Sequence, residues 1–577
     1  MVSNRDILKL HLKRKENLYM AVANFFTQPI NMPVGVSSFE KIRKSNAYYV
    51  DKTGLVEELI LAEADVTLFT RPRRFGKTLT MRMLESFFSI EKSSRDLFCD
   101  LKISENTELC DAYMNQYPVI FLTFREVEGL DFDGAYDCLK ELIADLFNHY
   151  NFLLAKDRIA ENDKKLFQQL QSCTSSRTGI KKSIKLLTKL LSGYYNKPVV
   201  LLLDEYDVPL AKASENGYYR EMLDMMRGIM QVLKDNDYLK FAVITGCLRI
   251  SKESIFTGTN NFRVSTIASS RFNEYFGFTE NEVRKLLKDA GALNQYSDIK
   301  EWYDGYNFGG IDIYCPWDVV SYVDDFLGGE KNLPKCYWMN TSGNDIIRTF
   351  IDRYAEEIQE DFEELLAGKF IRMPIKEDLT YDLLHSSKDN FWSILYLTGY
   401  ITGEKNSSLE LGEMLLRIPN KEIKEIFNDT ISQWFKEKVN TLNREKLFAA
   451  VWKGDSEVLT EQITKLLVQT ISYYDYREDF YHAFLAGIFT GAGYRVESNK
   501  EHGEGRSDIV VKDTRNFRVA VFEIKYADKK ADLGKSCEKA LAQIINRQYT
   551  VDYVEDYDEI LCYGIAFYKK RCLVKKG

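Results

Sequence analysis

The stretch Val66-Thr67-Leu68-Phe69-Thr70-Arg71-Pro72-Arg73-Arg74-Phe75-Gly76-Lys77-Thr78 admits few structures. It reads as a buried strand, a short loop and the opening of a helix. In such a unit backbone N–H groups point inward, and the positive helix end adds to them, so the loop suits an anion. Lys77 would reach the β- and γ-phosphates of a nucleotide, and the Thr78 hydroxyl would hold Mg²⁺. The general spacing G-x-x-x-x-G-K-[ST] asks for glycine where this chain has Arg71, so the loop alone is a weak signal.

A second stretch strengthens it. Val199-Val200-Leu201-Leu202-Leu203-Asp204-Glu205 is a continuous apolar run that ends in two carboxylates. Such a run suits a central parallel strand covered on both faces. Asp204 at its carboxyl end would hold Mg²⁺ through water, and Glu205 would polarise the water that attacks the γ-phosphate. A buried strand followed by a solvated acidic turn is the plainer alternative.

Composition narrows the classes. A chain of 577 residues should divide into several domains. Its net charge of −8 gives no global basic signature, so nucleic-acid binding must come from a local patch. Ten cysteines without a C-x-x-C pair, and five histidines, argue against a zinc site or a disulfide scaffold and suit a reducing cytoplasm. No run of ~18 apolar residues occurs, so no membrane span is expected.

In chain order, residues 1–32 read as a charged leader. Tyr49 and Lys52 suit packing ahead of the first strand, with a place beside the nucleotide base as the alternative. Helices are expected from about Leu55 to Ala62, Leu79 to Phe88, Asp131 to Tyr150, Lys164 to Leu191 and Tyr219 to Leu233, the last Met-rich and suited to a core. Pro118 to Phe124 and Leu239 to Gly246 read as further strands. Strands alternating with helices predict an α/β fold with a parallel sheet. Thr245 would sense the γ-phosphate, and Arg249, Arg263 and Arg271 are candidate cations for it. Residues 350–470 read as mostly helical, with a hairpin around Gly399-Tyr400-Ile401-Thr402.

Towards the C-terminus a helix from Asp479 to Thr490 precedes three strands, beginning at Tyr494, at Gly505-Arg506-Ser507-Asp508 and at Arg518. Period-2 alternation puts Glu523 and Lys525 on one face, and pairing the last two strands brings Asp508 beside Glu523. Two carboxylates there would bind Mg²⁺. Lys525 would orient the nucleophile or stabilise the transition state. Glu478 is a further candidate carboxylate, and Gln543 with Tyr549 would steady the water or contact the backbone. Glu523 stands in an otherwise apolar strand, where a charge is costly unless used. From Phe480 onward there are 17 Lys and Arg against 14 Asp and Glu, opposite in sign to the whole chain. Such a patch attracts a phosphate backbone; for the contribution of Lys569-Lys570-Arg571 and Lys575-Lys576 a solubilising tail is the duller reading.

Thr70 to Thr78, Leu203-Asp204-Glu205-Tyr206-Asp207, Thr245-Gly246, Phe276-Gly277-Phe278-Thr279, Trp302-Tyr303-Asp304-Gly305-Tyr306 and Asn340-Thr341-Ser342-Gly343 together resemble the bacterial AAA-ATPase-like family of P-loop proteins. Gly505-Arg506-Ser507-Asp508, Glu523-Ile524-Lys525 and Gln543 with Tyr549 resemble the PD-(D/E)XK nuclease domain that usually ends these proteins. In that family an arginine at position 71 is usual. The resemblance implies a P-loop ATPase-like domain over 33–275, a mainly helical lid and connector over 276–470 and a nuclease-like α/β domain over 471–577. The nucleotide-contacting set would be Arg71, Arg73, Arg74, Gly76, Lys77, Thr78, Asp204 and Thr245. Thr78 and Asp204 would hold one Mg²⁺, and Asp508, Glu523 and Glu478 another. Asp508, Glu523, Lys525, Glu205 and Gln543 would be catalytic. The expected protein is a cytoplasmic, ATP-regulated, Mg²⁺-dependent nuclease acting on DNA rather than RNA, with a defence role by analogy. A nucleotide-driven switch whose C-terminal domain binds nucleic acid or a protein without cutting is the rival, and homo-oligomerisation stays open.

Overall fold

The computed structural model describes residues 30–155, 159–249, 261–330, 333–338, 361–362, 364–379, 381, 387–404, 412–430, 445–469, 481, 485, 488–489, 494–502, 505–569 and 571–577. The chain divides into two compact units. The first runs to Trp338 and takes back Glu377–Leu384 and Leu397–Gly399; the second holds the rest.

The first unit is built on a five-stranded parallel sheet: β1 (Val66–Thr70), β2 (Val119–Thr123), β3 (Val199–Asp204), β4 (Leu239–Gly246) and β5 (Phe262–Ser265), in the order β2-β3-β4-β1-β5. Every residue of β1 and β3 is buried, as expected for strands covered on both faces. Alternation along them feeds two cores. Val66, Leu68, Leu201 and Leu203 pack with the helices Phe132–His149, Arg177–Tyr195 and Tyr219–Met230. Phe69, Val200 and Leu202 pack with the helices Gly54–Leu61 and Lys77–Phe88. Met222, Met225, Met226 and Met230 are all buried in the first of these cores, so the Met-rich helix is a packing element.

The strand order has a direct consequence for the loop. β4 lies between β1 and β3, so Gly246 stands opposite Thr70 while Ile244 stands opposite Leu203. Thr245 is thereby set between the loop that follows β1 and the carboxylate that ends β3. Residues beyond β5 support the same loop. Phe276 packs 4.9 Å from Phe69, and the loop residue Phe75 lies 5.0 Å from Tyr306 and 5.1 Å from Phe308. The latter two belong to a small hairpin of β6 (Tyr306–Phe308) and β7 (Ile311–Ile313).

The second unit contains more sheet than its sequence suggests. A three-stranded sheet, β8 (Ile371–Pro374), β9 (Thr402–Glu404) and β10 (Glu413–Arg417), pairs antiparallel in the order β8-β10-β9, within a region that reads as mostly helical. The expected hairpin near Gly399 is instead the end of the helix Lys388–Thr398 and the start of β9. The C-terminal sheet runs β11 (Arg495–His502), β12 (Gly505–Asp513), β13 (Arg518–Tyr526), β14 (Glu559–Tyr568) and β15 (Arg571–Lys576) in that order. Only the β13–β14 pair is parallel, and the helix Leu533–Asn546 makes the crossover between them. The basic tail is therefore not a loose solubilising segment. Cys572 and Val574 are buried, and β15 closes the sheet as an edge strand paired with β14, its ends carrying the charges of Arg571, Lys575 and Lys576.

Candidate functional sites

The first site lies at the carboxyl ends of β1, β3 and β4. Gly76 has φ +81°, a left-handed conformation that glycine adopts freely, and it lets the helix Lys77–Phe88 begin at Lys77. Thr78 Oγ1 donates to Asp204 Oδ2 at 2.8 Å, and Thr245 Oγ1 donates to Asp204 Oδ1 at 2.5 Å. Burial pushes the Asp204 carboxyl above its usual range against the pull of these two hydroxyls. Lys77 is buried, with Nζ donating to the carbonyls of Arg71 at 3.1 Å and Pro72 at 3.0 Å and lying 3.5 Å from Cys247 Sγ. Burial works against its charge, but Cys247, Glu205, Asp207 and Asp204 outweigh it and hold the ammonium above its ordinary value. Glu205 is half-buried at φ +56°, an unusual backbone for a residue other than glycine, and its N–H donates to Thr245 Oγ1 at 3.4 Å.

The arginines separate. Arg73 is exposed on the loop, near enough to Cys247 to act on its thiol. Arg74 donates to the Tyr337 carbonyl at 3.3 Å and lies over Trp317. Arg71, expected among the nucleotide contacts, is turned into the interior. It is fully buried, its guanidinium donates to the carbonyls of Thr70, Ser265 and Phe272 and to Ser265 Oγ, and it sits over Phe276 and Phe308. A guanidinium whose two NH2 groups are held by main-chain and hydroxyl acceptors against ring faces is a structural strut. Arg263 and Arg271 donate to the carbonyls of Ala62 and Glu58, which precede β1, so the structure does not bring them to the loop. Arg249 is half-buried just after β4. Tyr49 packs edge-on against Phe39, and Lys52 makes a buried ion pair with Glu282 at 2.7 Å, so both belong to packing.

The second site lies on the C-terminal sheet. β12 and β13 pair antiparallel with Ile509 opposite Phe522 and Val510 opposite Val521. The paired stretch ends at Ile509 and Phe522, and Asp508 and Glu523 lie one residue beyond it, close enough for the Asp508 charge to act on Glu523. Asp508 Oδ2 accepts the Ile524 N–H at 2.7 Å, and Lys525 Nζ donates to Glu523 Oε1 at 3.1 Å. Glu523 is 1% exposed, and its Oε2 is buried with no partner among the described residues. Burial, then the Asp508 charge, push its carboxyl up to about 7, against the pull of Lys525. The face that carries them also carries Val510, Val519 and Val521, which pack against Ile544 of the crossover helix. On that helix Glu538 pairs with Lys575 of β15, and Gln543 lies half-buried in the last turn. Gln543 Nε2 donates to Tyr549 Oη at 3.2 Å. Glu478 lies outside the described residues. Among the described residues no cluster of three or more His, Cys, Asp or Glu assembles. Two neighbouring carboxylates with an unsatisfied oxygen nonetheless fit a hard divalent cation.

Comparison with known proteins gives two domain matches. Residues 33–256 match the family model described as predicted AAA-ATPase, and residues 476–577 match that of the PD-(D/E)XK nuclease superfamily. The chain carries an AAA-ATPase-like domain and a C-terminal PD-(D/E)XK nuclease domain. The AAA-ATPase-like match covers β1 to β4 and the first site; the nuclease match covers β11 to β15 and the second. The chain is also similar to a protein of Azotobacter chroococcum mcd 1 described as the uncharacterized protein in vnfD 5'region. It is 25% identical over 554 residues, 93% of this chain and 96% of that one. Among solved structures, the Aeropyrum pernix ORC2 protein (ADPNP-ADP complexes) is similar over 66% of this chain and 92% of that chain, at 10% identity and a TM-score of 0.24. No helix of the described residues is long and apolar enough to cross a membrane.

Proposed function

We propose that this chain is a cytoplasmic, ATP-regulated, Mg²⁺-dependent nuclease that hydrolyses phosphodiester bonds, in DNA rather than RNA, with defence against foreign DNA as its role by analogy. The observation that carries the reading is the nearness of Asp508, bonded to the Ile524 N–H, to the buried Glu523, with Lys525 bonded to one of the Glu523 oxygens. A buried carboxylate with an idle oxygen is costly unless a ligand takes it up. Asp508 and Glu523 would hold Mg²⁺. When bound, it supplies a water of lowered pKa and neutralises charge on the scissile phosphate. Lys525 fixes the rotamer of Glu523 and stands where it can orient the attacking water or meet developing negative charge. Gln543, steadied by Tyr549, approaches from the crossover helix. In the AAA-ATPase-like domain, Lys77 takes the terminal phosphates, Thr78 and Asp204 hold the nucleotide's Mg²⁺, and Glu205 orients the attacking water, with Thr245 fixing Asp204.

The test is a cleavage assay of the purified full chain on duplex DNA, single-stranded DNA and RNA. It compares Mg²⁺ with chelator and ATP with ADP and no nucleotide, with Asp508→Asn as control. Metal-dependent cutting that the control lacks, and that ATP alters, is the expected result. Retention of nucleic acid without metal-dependent cutting would replace this reading with a binding switch.

A further inference from the structure

Three residues after Asp204, the turn that leaves β3 buries another carboxylate. Asp207 is 1% exposed. Its Oδ2 accepts the backbone N–H groups of Cys247 and Leu248, both at 2.9 Å, and the Tyr381 hydroxyl at 3.0 Å. Its Oδ1 is buried with no partner among the described residues and faces Gly246, where a Cβ would lie 2.6 Å away. Lys77 reaches the same spot, because its Nζ contacts the sulfur of Cys247 while the Cys247 N–H holds Asp207. Lys77, Cys247, Asp207 and Tyr381 thus form one continuous line of contacts.

Tyr381 lies far beyond the stretch that matches the AAA-ATPase-like family. It packs beside the core of the first unit, and its carbonyl accepts from Ser214 Oγ at 3.0 Å. Four residues earlier, Glu377 Oε2 accepts from Thr266 Oγ1 at 2.7 Å. Glu377 and Tyr381 are therefore pinned to the turn after β5, to the helix Val208–Asn216 and to the turn after β3. On both sides of Glu377–Leu384 the chain belongs to the other compact unit.

We propose that Asp207 and Tyr381 relay nucleotide occupancy from Lys77 to the chain at Glu377 and Tyr381, so that ATP changes how firmly these two residues are held. The inference rests on the ATP-site reading given above. To reach phosphate oxygens, Lys77 must redirect N–H donors that now go to the Arg71 and Pro72 carbonyls and to Cys247 Sγ. The Cys247–Leu248 turn then loses a side-chain contact, and Asp207 faces a cation neutralised by phosphate. Its bond to Tyr381 differs between the two states, and a ligand shifts an equilibrium only through such a difference. In a buried polar line each bond polarises the next, so a change at one end reaches the other.

Hydrogen exchange read by mass spectrometry on the full chain tests this, without nucleotide and with ATP or ADP plus Mg²⁺, beside calorimetry of ATP binding. In the wild type, ATP is expected to protect residues 71–78 and to change exchange in the peptide that carries Glu377 and Tyr381. Tyr381→Phe keeps the ring and removes the hydroxyl. It should bind ATP and protect 71–78 as the wild type does, with loss of the response in that peptide. Asp207→Asn keeps the shape and should show the same loss, an independent check should one variant fold poorly. A wild type that protects 71–78 with ATP but leaves that peptide unchanged would overturn the relay and leave the ATP site standing, as would variants that respond like the wild type. No ATP binding and no protection of 71–78 in the wild type would overturn the ATP-site reading and the relay together.

Discussion

The two oxygens of Asp204 are divided between two hydroxyls: Oδ2 takes Thr78 at 2.8 Å and Oδ1 takes Thr245 at 2.5 Å. One hydroxyl comes from the helix after β1 and the other from β4, so this carboxylate ties three adjacent chain segments together at the sheet's end. The tie exists only because β4 separates β1 from β3.

Thr245→Val keeps the shape and removes the hydroxyl. Asp204 Oδ1 then loses its donor inside the fold, at a cost of about 1–3 kcal/mol. Denaturant unfolding should show that loss, together with weaker Mg²⁺-dependent ATP affinity. An unchanged midpoint would mean that Asp204 finds another donor.

Lys77→Ala should weaken ATP binding by about ten- to a hundredfold, the range expected for a lost hydrogen bond to a charged group. The fold should survive, since the carbonyls of Arg71 and Pro72 that Lys77 caps lie in a loop. Calorimetry with circular dichroism separates the two effects; equal affinity in wild type and variant would remove Lys77 from the site.

Asp508→Asn and Glu523→Gln should each abolish cleavage. Glu523→Gln also replaces a buried carboxylate that lies near Asp508 with a neutral isostere, so its metal-free melting temperature should hold or rise. Stabilisation by added Mg²⁺, present in the wild type by mass action, should disappear. Lys525→Met should lower turnover and spare that stabilisation. A Glu523→Gln protein that melts higher with Mg²⁺, as the wild type does, would place the cation elsewhere.

Gly246→Ala should destabilise the first unit by about 1–3 kcal/mol through overpacking. The added Cβ would stand 2.6 Å from both Asp207 Oδ1 and Tyr206 Cε1, two groups with no room to retreat. Thermal unfolding reads this directly, and a neutral result would show that the turn after β3 yields.

What could be read from the residues was mostly local. Val199 to Asp204 announced a buried strand by composition, and Glu523 with Lys525 announced a shared face by period two. Register and strand order were not legible, because they depend on partners far off in sequence; nothing near Thr245 says that β4 inserts between β1 and β3. β5 is four residues long with Arg263 in its middle, too short and too polar to signal itself. The sheet of β8, β9 and β10 hides among residues that also suit helices. Arg263 and Arg271 looked like phosphate partners because a cation near such a loop invites that reading; their true acceptors are carbonyls about two hundred positions away. Asp207 was visible only as one more acid in an acidic turn, since its burial is imposed by Cys247, Leu248 and Tyr381.

The buried guanidinium of Arg71 carries a lesson for anyone engineering or searching for such chains. Restoring glycine at that position would perfect the match to the general loop pattern. It would also strip donors from the carbonyls of Thr70, Ser265 and Phe272 and open a void beneath Phe276 and Phe308, so the repaired loop would sit on a weakened floor. Here the deviation from consensus is the part that the surrounding architecture has grown to need, and a pattern search that insists on the glycine passes such chains by.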